Sequence, residues 1–218
     1  EAYEGARETV RAYLNAGSVD EIIFTKNATE SLNLVASCLG RHLNIGAGDE
    51  IVLSIMEHHS NIVPWNYWRE RHGAVLKWSP VDDDGNFLID AFEKLLTPRT
   101  KLVAITHMSN ALGTIVPVKD VVRIAHDRGI PVVVDGSQAA VHLPVDVQDI
   151  GCDFYVITGH KLYGPSGIGA LFGKREWLDR MPPFLGGGEM IRTVTQEGVT
   201  YGDPPHKFEA GTPAIVPA

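Results

Sequence analysis

The sequence has few cysteines and no long apolar run, and each shortage excludes a class of protein. Only two cysteines, Cys38 and Cys152, occur in 218 residues, and no CxxC pair is present. This usage argues against a disulfide framework or a zinc ribbon and is typical of a reducing compartment. No apolar run reaches the roughly 18 to 20 residues that a membrane helix needs, and the first residues form a charged amphipathic pattern unlike a signal peptide. We therefore expect a cytoplasmic protein with no membrane partner.

Positive charge is also scarce. The chain has 19 lysine and arginine residues against 27 aspartate and glutamate residues, for a formal net charge of −8. The basic residues are scattered, so the electrostatic footprint of a nucleic-acid-binding protein is missing, although a single phosphate site stays open. Hydrophobic residues make up 44% of the sequence, which is enough for a substantial core.

What the chain does contain is a regular alternation of apolar runs and helical patterns. The runs predict strands at residues 21–26, 50–56, 74–80, 101–108, 131–136, 153–159 and 168–173. Helical patterns lie at residues 29–43, 60–72, 87–96, 118–128 and 175–181. Several strands are almost continuously apolar, as in sheets covered on both faces. The expected fold class is α/β, with a mainly parallel seven-stranded sheet and helices on both faces. Residues 182–212 are the only long irregular region, which we expect to serve a site or a subunit contact.

Polar residues follow nearly every predicted strand. Ligands of open α/β sheets bind beyond the carboxyl ends of the strands, so these residues are candidates for a common site. They are Asn27, Ala28 and Thr29; Glu57, His58 and His59; Ser109 and Asn110; Asp135, Ser137 and Gln138; Thr158, His160 and Lys161.

Two of these candidates carry charges that are costly at the end of an apolar strand. Asp135 is either a helix N-cap for the segment GSQAA or the partner of a cationic ring nitrogen. Lys161 is either a lysine that extends its amine to solvent or a nucleophile whose pKa is lowered by its surroundings. The presence of both together favours the functional interpretation.

The remaining candidates suit a flat, phosphorylated ligand. Thr29 or Asn27 is either an ordinary N-cap or part of a phosphate site at a helix N-terminus, to which Thr158 and His160 would add donors. A metal site is not expected, because the adjacent histidines have no ligand partner at metal-binding spacing. His58 or His59 could instead stack on an aromatic ring. The amides of Gln138 and Asn110 could hydrogen-bond a ring hydroxyl.

These residues stand in motifs that resemble a known family. The motifs are NATESLNLVA, EHHSNIVPW, THMSNALGT, VDGSQAAVHLPVDVQDIGCDFYVITGHKLYGPSGIGALFG, PPFLGGGEMI and FEAGTP. In this order along essentially the whole chain they resemble the class V aminotransferase superfamily of fold type I pyridoxal-phosphate enzymes. Within that superfamily they are most similar to the SufS-type cysteine desulfurases.

The resemblance implies pyridoxal 5'-phosphate as cofactor and assigns its ring site. Lys161 would hold the cofactor as a Schiff base and later shuttle a proton. Asp135 would pair with the ring nitrogen, and Gln138 would contact the ring hydroxyl. His58 would stack on the ring and act in proton transfer, and Asn110 would lie near the ring hydroxyl and the substrate carboxylate.

The resemblance also assigns the phosphate site and an oligomeric state. Thr29, Thr158 and His160 would bind the phosphate. Thr212 would reach the phosphate of the neighbouring subunit, so a homodimer is the expected form. Ala28 departs from the family pattern, because relatives commonly have another hydroxyl there.

The activity implied is that of a desulfurase, which converts L-cysteine to L-alanine and passes sulfur as an enzyme persulfide to an acceptor protein for iron–sulfur cluster assembly.

The family's nucleophilic cysteine and substrate-binding arginine lie in a C-terminal domain that this sequence does not include, and the family's N-terminal segment is missing too. Cys38 and Cys152 are predicted to be buried structural cysteines. We therefore expect residues 1–218 to form a cofactor-binding large domain. Another class V lyase, epimerase or transaminase, or a non-catalytic scaffold subunit, remains an alternative.

Overall fold

A seven-stranded, mainly parallel sheet forms the centre of the molecule, as predicted. The computed structural model describes all residues 1–218. The strands run in the order β1-β7-β6-β5-β4-β2-β3 across the sheet, and β7 alone runs opposite to the other six. Their bounds are β1 Ile22–Thr25, β2 Glu50–Ser54, β3 Val75–Ser79, β4 Thr100–Thr106, β5 Val132–Asp135, β6 Phe154–Thr158 and β7 Gly169–Gly173.

Eight α-helices accompany the sheet, and they include all five that the sequence predicts. Their bounds are α1 Ala2–Leu14, α2 Ala28–His42, α3 Val63–His72, α4 Ile89–Leu95, α5 Val118–His126, α6 Ala139–His142, α7 Val147–Ile150 and α8 Arg175–Arg180. The segment predicted as one helix from residue 60 begins as a 3₁₀ turn at His59–Asn61 before α3. None of these helices combines the length and the apolar character that a membrane crossing requires.

Alternate residues of the central strands point into two separate hydrophobic cores. In β5, Val132 and Val134 belong to the core that also contains α5, whereas Val133 belongs to the core that contains α2 and α3. Both faces of the sheet are therefore covered, which explains why the strands read as continuous apolar runs.

Residues 182–212 are not wholly irregular, which corrects the sequence-based expectation. They contain an antiparallel hairpin of β8 Ile191–Val194 and β9 Val199–Tyr201, followed by a 3₁₀ turn at His206–Phe208. All residues of both strands are exposed. Because apolar periodicity reports burial, two short strands that pack on no core leave no signal in the sequence.

A buried ion pair ties the N-terminal helix to the segment that follows the hairpin. Arg7 of α1 is 0% exposed, and its guanidinium donates to Glu209 at 2.6 and 2.9 Å and to the carbonyl of Ile22 at 2.8 Å. Glu209 also accepts the N–H of Phe24 at 2.7 Å. The pair therefore joins α1, β1 and residue 209.

We expect Arg7→Ala to lower the free energy of unfolding by about 3–5 kcal/mol, because it leaves the carboxylate of Glu209 buried without its cation. Urea denaturation measures the change. Arg123→Ala is the control, since Arg123 forms ion pairs only on an exposed helix face and should cost less than about 1 kcal/mol. Equal losses in the two variants would contradict the prediction.

Candidate active site

A cavity of about 220 Å³ opens at the carboxyl ends of the parallel strands. Eight of the nine predicted site residues line it, and Thr212 is the exception. The strands β2, β4, β5 and β6 are parallel, so the residues that follow them meet at one edge of the sheet. The lining residues are Asn27, Ala28, Thr29, His58, Ser60, Thr106, Met108, Asn110, Asp135, Ser137, Gln138, Thr158, His160 and Lys161.

Asp135 is a buried carboxylate that has no cation in the chain. It ends β5 and is only 4% exposed. Its Oδ1 accepts the N–H of Ser137 at 3.0 Å and the hydroxyl of Ser137 at 2.6 Å, whereas Oδ2 accepts no hydrogen bond. The N-cap alternative is wrong, because α6 begins after Gln138 and has no side-chain cap. A buried carboxylate without a neighbouring cation is costly, so the site favours a cationic group on the ligand.

The layer behind Asp135 is uncharged. The N–H of His107 donates to the carbonyl of Asp135 at 2.9 Å, and Nδ1 of His107 lies 2.8 Å from the hydroxyl of Tyr155. Desolvation lowers the pKa of His107 to about 4, so its ring is neutral. A Cβ at Gly136 would lie 2.0 Å from the ring of Tyr155, so only glycine fits there. Neutral, tightly packed groups thus support Asp135 without compensating its charge.

Lys161 is the only lysine that lines the cavity. It ends the 3₁₀ turn Gly159–Lys161 directly after β6 and is partly buried. Its amine forms no hydrogen bond and no ion pair with the rest of the chain. The amine is therefore available to a ligand in the cavity.

The N-terminus of α2 supplies donors for an anion. Asn27 is the N-cap and accepts the N–H of Glu30 at 3.0 Å, which leaves the exposed hydroxyl of Thr29 without a capping role. The first N–H groups of a helix have no intrahelical partner and favour anions. Thr158 and His160 also line the cavity, and their side chains hydrogen-bond each other at 3.1 Å. Ala28 presents only a methyl group to the cavity, at the position where the family commonly has a hydroxyl.

Of the two adjacent histidines, only His58 lines the cavity. Its Nδ1 accepts the N–H of Ser60 at 3.2 Å and lies 2.8 Å from the hydroxyl of Ser60. Because Nδ1 is an acceptor in this arrangement, the proton of the neutral ring resides on Nε2. The hydrogen bonds fix the orientation of the ring.

The amides of Asn110 and Gln138 line the same cavity, and neither side chain forms a hydrogen bond within the chain. Thr212 is exposed and lines a second cavity of about 160 Å³ together with Lys26 and Glu30. The role of Thr212 toward a neighbouring subunit stays a prediction.

Both cysteines are fully buried, as predicted, and neither lines the cavity. Desolvation raises the pKa of Cys38 to about 11 and raises the pKa of Cys152 well above its ordinary value. Such thiols are poor nucleophiles, because the thiolate is the reactive form.

The sequence-based interpretation missed Ser60, Thr106 and Met108, and it gave no role to Glu57 or Ser137. The predicted fourth strand ran to residue 108, whereas β4 ends at Thr106, so Thr106 was hidden inside a strand. Glu57 directly follows a predicted apolar strand, as Asp135 ends one, so the same signal could have identified it from the sequence. Burial raises the pKa of Glu57 to about 7.

The family model described as Aminotransferase class-V matches residues 1–218. The chain belongs to the class-V aminotransferase family. Among its relatives, a probable cysteine desulfurase of Mycolicibacterium paratuberculosis is 52% identical over 219 residues, covering 100% of the chain and 32% of the relative.

The class-V chain is similar in structure to two solved enzymes, a cysteine desulfurase and a cystine C–S lyase. The crystal structure of the cysteine desulfurase CsdA from Escherichia coli has a TM-score of 0.95 at 43% identity and covers 99% of this chain and 54% of that chain. The cystine C–S lyase C-DES, in complex with its product cysteine persulfide, has a TM-score of 0.88 at 26% identity, covering 98% and 57%. The chain thus spans about half the length of the solved relatives.

Proposed function

We propose that the protein is a pyridoxal-phosphate-dependent cysteine desulfurase, of which residues 1–218 form the cofactor-binding large domain. The observation that carries this proposal is the meeting of three features in one cavity. These are the unpaired amine of Lys161, the buried carboxylate of Asp135 and the anion-binding N-terminus of α2. The relative that is 52% identical, named a probable cysteine desulfurase, supports the same assignment.

The ring end of the cavity suits pyridoxal 5'-phosphate. Oδ2 of Asp135 has no partner and would hold the proton on the ring nitrogen, since a buried carboxylate favours a neighbouring cation. The free amides of Gln138 and Asn110 would meet the ring hydroxyl. His58 would lie on the ring face, and the amine of Lys161 would bond to the aldehyde carbon.

The opposite end of the cavity suits the phosphate. Thr29, Thr158 and His160 would donate to its oxygens, together with the first N–H groups of α2. The phosphate binds without a full set of hydroxyls, because Ala28 has none to offer. We also propose that Thr212 reaches the phosphate bound by a neighbouring subunit, which makes the protein a homodimer.

When bound, the cofactor supplies an electron sink for negative charge on the substrate carbon. The residues around it orient the substrate and move protons. The amine of Lys161 takes a proton from the substrate and returns it, and Nε2 of His58 holds a second exchangeable proton. The carboxylate of Asp135 would keep the ring nitrogen protonated.

The net reaction requires a thiol that accepts sulfur. The C–S bond of cysteine breaks, an S–S bond forms to that thiol, and a thiol proton ends on the carbon that becomes the alanine methyl group. Cys38 and Cys152 are both 0% exposed and cannot reach the substrate. We propose that the accepting cysteine and an arginine for the substrate carboxylate lie outside these residues, and that a cytoplasmic acceptor protein then takes the sulfur for iron–sulfur cluster assembly.

A C–S lyase is the second candidate, because C-DES shares the fold at a TM-score of 0.88. The lower identity, 26% against 43% for CsdA, favours the desulfurase. A scaffold without catalysis is disfavoured, because such a subunit needs neither the unpaired amine of Lys161 nor the isolated charge of Asp135.

The products distinguish these candidates. We expect the whole protein, loaded with pyridoxal 5'-phosphate and given L-cysteine and a reductant, to release alanine and sulfide in equal amounts. L-Cystine alone should yield no cysteine persulfide. Persulfide from cystine without alanine from cysteine would contradict the desulfurase proposal in favour of a lyase, and turnover of neither substrate would indicate a scaffold.

A further inference from the structure

The carboxylate of Glu57 is buried and joins three segments of the chain near the cavity. Glu57 follows β2 and is 7% exposed. Its Oε1 lies 2.5 Å from the hydroxyl of Ser54 and accepts the N–H of Thr106 at 2.9 Å. Its Oε2 accepts Nδ2 of Asn61 at 2.7 Å. One side chain thus connects the end of β2, the 3₁₀ turn His59–Asn61 and the end of β4.

The orientation of Asn61 makes this junction specific for a carboxyl group. Nε1 of Trp65 donates to Oδ1 of Asn61 at 3.1 Å, and both residues are 0% exposed. Asn61 must therefore turn its NH₂ group toward Glu57. Thr106 offers a backbone N–H, which is also a donor only. A carboxamide at position 57 would set its own NH₂ group against one of these two donors in either orientation.

The junction connects two walls of the cavity, although Glu57 does not line it. On one side, His58 is the next residue, and the N–H of Asn61 donates to the carbonyl of His58 at 2.8 Å. On the other side, Thr106 pairs with Asp135 in the register of β4 and β5. The carboxylate of Glu57 therefore connects the turn that follows His58 to the strand β4, whose last residue pairs with Asp135.

We propose that Glu57 is a positioning residue, whose hydrogen bonds to Asn61 and Thr106 hold the imidazole of His58 at a fixed distance from the carboxylate of Asp135. A flat ring whose face meets His58 and whose edge meets Asp135 then finds both groups in position before it binds. The identity of that ring rests on the proposed function. The proposed positioning of His58 does not rest on it, because the hydrogen bonds of Glu57 to Asn61 and Thr106 lie within the chain.

Exchanging the carboxylate and the amide across one hydrogen bond tests the proposal. Glu57→Gln sets the new NH₂ group against a donor of Asn61 or of Thr106, and Asn61→Asp sets two carboxyl groups against each other. In the double variant Glu57→Gln/Asn61→Asp, the new amide donates to the new carboxylate, whose second oxygen still accepts from Trp65. Only the double variant restores a complementary pair.

Two measurements report the order of the segment that carries His58 and its effect on the ring site, without measuring turnover. Hydrogen–deuterium exchange of residues 54–61 in the cofactor-free protein reports the order of the segment. The circular dichroism induced in bound pyridoxal 5'-phosphate reports the asymmetry of the ring site. We expect each single variant to speed exchange by about tenfold or more and to weaken the induced signal, and the double variant to recover both.

Glu50→Gln is the matched control, because Glu50 is a carboxylate of low exposure at the other end of the same strand. It accepts the hydroxyls of Thr97 and Thr100 and pairs with Lys77 at 2.9 Å. We expect it to lower stability and to leave exchange at residues 54–61 and the induced signal unchanged. If Glu57→Gln acted only by lowering stability, Glu50→Gln would change the two measurements in the same way.

The proposal is overturned if Glu57→Gln changes neither measurement, if Glu50→Gln changes both equally, or if the double variant stays as defective as the single variants. A single variant that does not fold supports the proposal when the double variant folds with native exchange. Failure of the desulfurase assay would leave the exchange result intact, so the two proposals fail separately.

Discussion

Lys161→Ala should eliminate covalent capture of pyridoxal 5'-phosphate and lower kcat with cysteine by roughly 10²–10⁴-fold, the range expected when a group that moves protons is removed. Lys161 is the only lysine in the cavity, and its amine has no competing partner in the chain. No neighbouring amine can therefore replace it. The phosphate donors of α2 remain, so we expect the variant still to bind the cofactor without a covalent bond.

Reduction with borohydride, followed by mass spectrometry of the peptides, locates the covalent bond. The unchanged protein should carry the tag on Lys161 and on no other lysine. Lys119→Ala is the matched control, because Lys119 lies on an exposed helix face, pairs with Asp149 and should leave the tag in place. A tag on any lysine other than Lys161 would overturn the site assignment.

Asp135→Asn should cost activity far more than cofactor affinity. We expect kcat to fall by roughly 10²–10³-fold, comparable to the loss of one group that stabilises charge in a transition state. Asparagine keeps the shape of Asp135, and its oxygen can still accept both hydrogen bonds from Ser137. It lacks the negative charge, however, so the ring nitrogen loses the partner that keeps it protonated.

The dissociation constant of pyridoxal 5'-phosphate should rise in Asp135→Asn by less than about tenfold, because the phosphate donors and Lys161 are untouched. Steady-state kinetics and a cofactor titration measure the two effects on one protein sample. Ser137→Ala provides the comparison, since it removes one hydrogen bond to Asp135 and keeps the charge; its loss of kcat should be clearly smaller. A loss of affinity as large as the loss of kcat would refute the assigned role of Asp135.

The residues that line the cavity were largely predictable, because they follow the ends of strands. Continuous apolar runs located all seven strands of the sheet, and the carboxyl-end rule then brought Asp135, His58 and Lys161 together. Where the sequence left alternatives, local geometry decided between them. Asn27 caps α2 instead of Thr29, and His58 lines the cavity instead of His59.

The contacts that were not predictable join residues whose pairing depends on distant parts of the chain. Arg7 meets Glu209 across 202 positions, and nothing local to either residue indicates the other. The hairpin of residues 191–201 was missed for the opposite reason, because its exposed strands carry no burial pattern.

The sequence alone determined the fold class and the polar groups at the strand ends, because burial and charge follow from residue type and spacing, whereas the cofactor was implied by the family resemblance. Tertiary structure alone decided which oxygen of Asp135 is free, which nitrogen of His58 accepts a hydrogen bond, and which groups the carboxyl of Glu57 joins. Hydrogen bonds depend on fractions of an ångström and on direction, and those are fixed only when β2, β4 and the turn between β2 and α3 pack together.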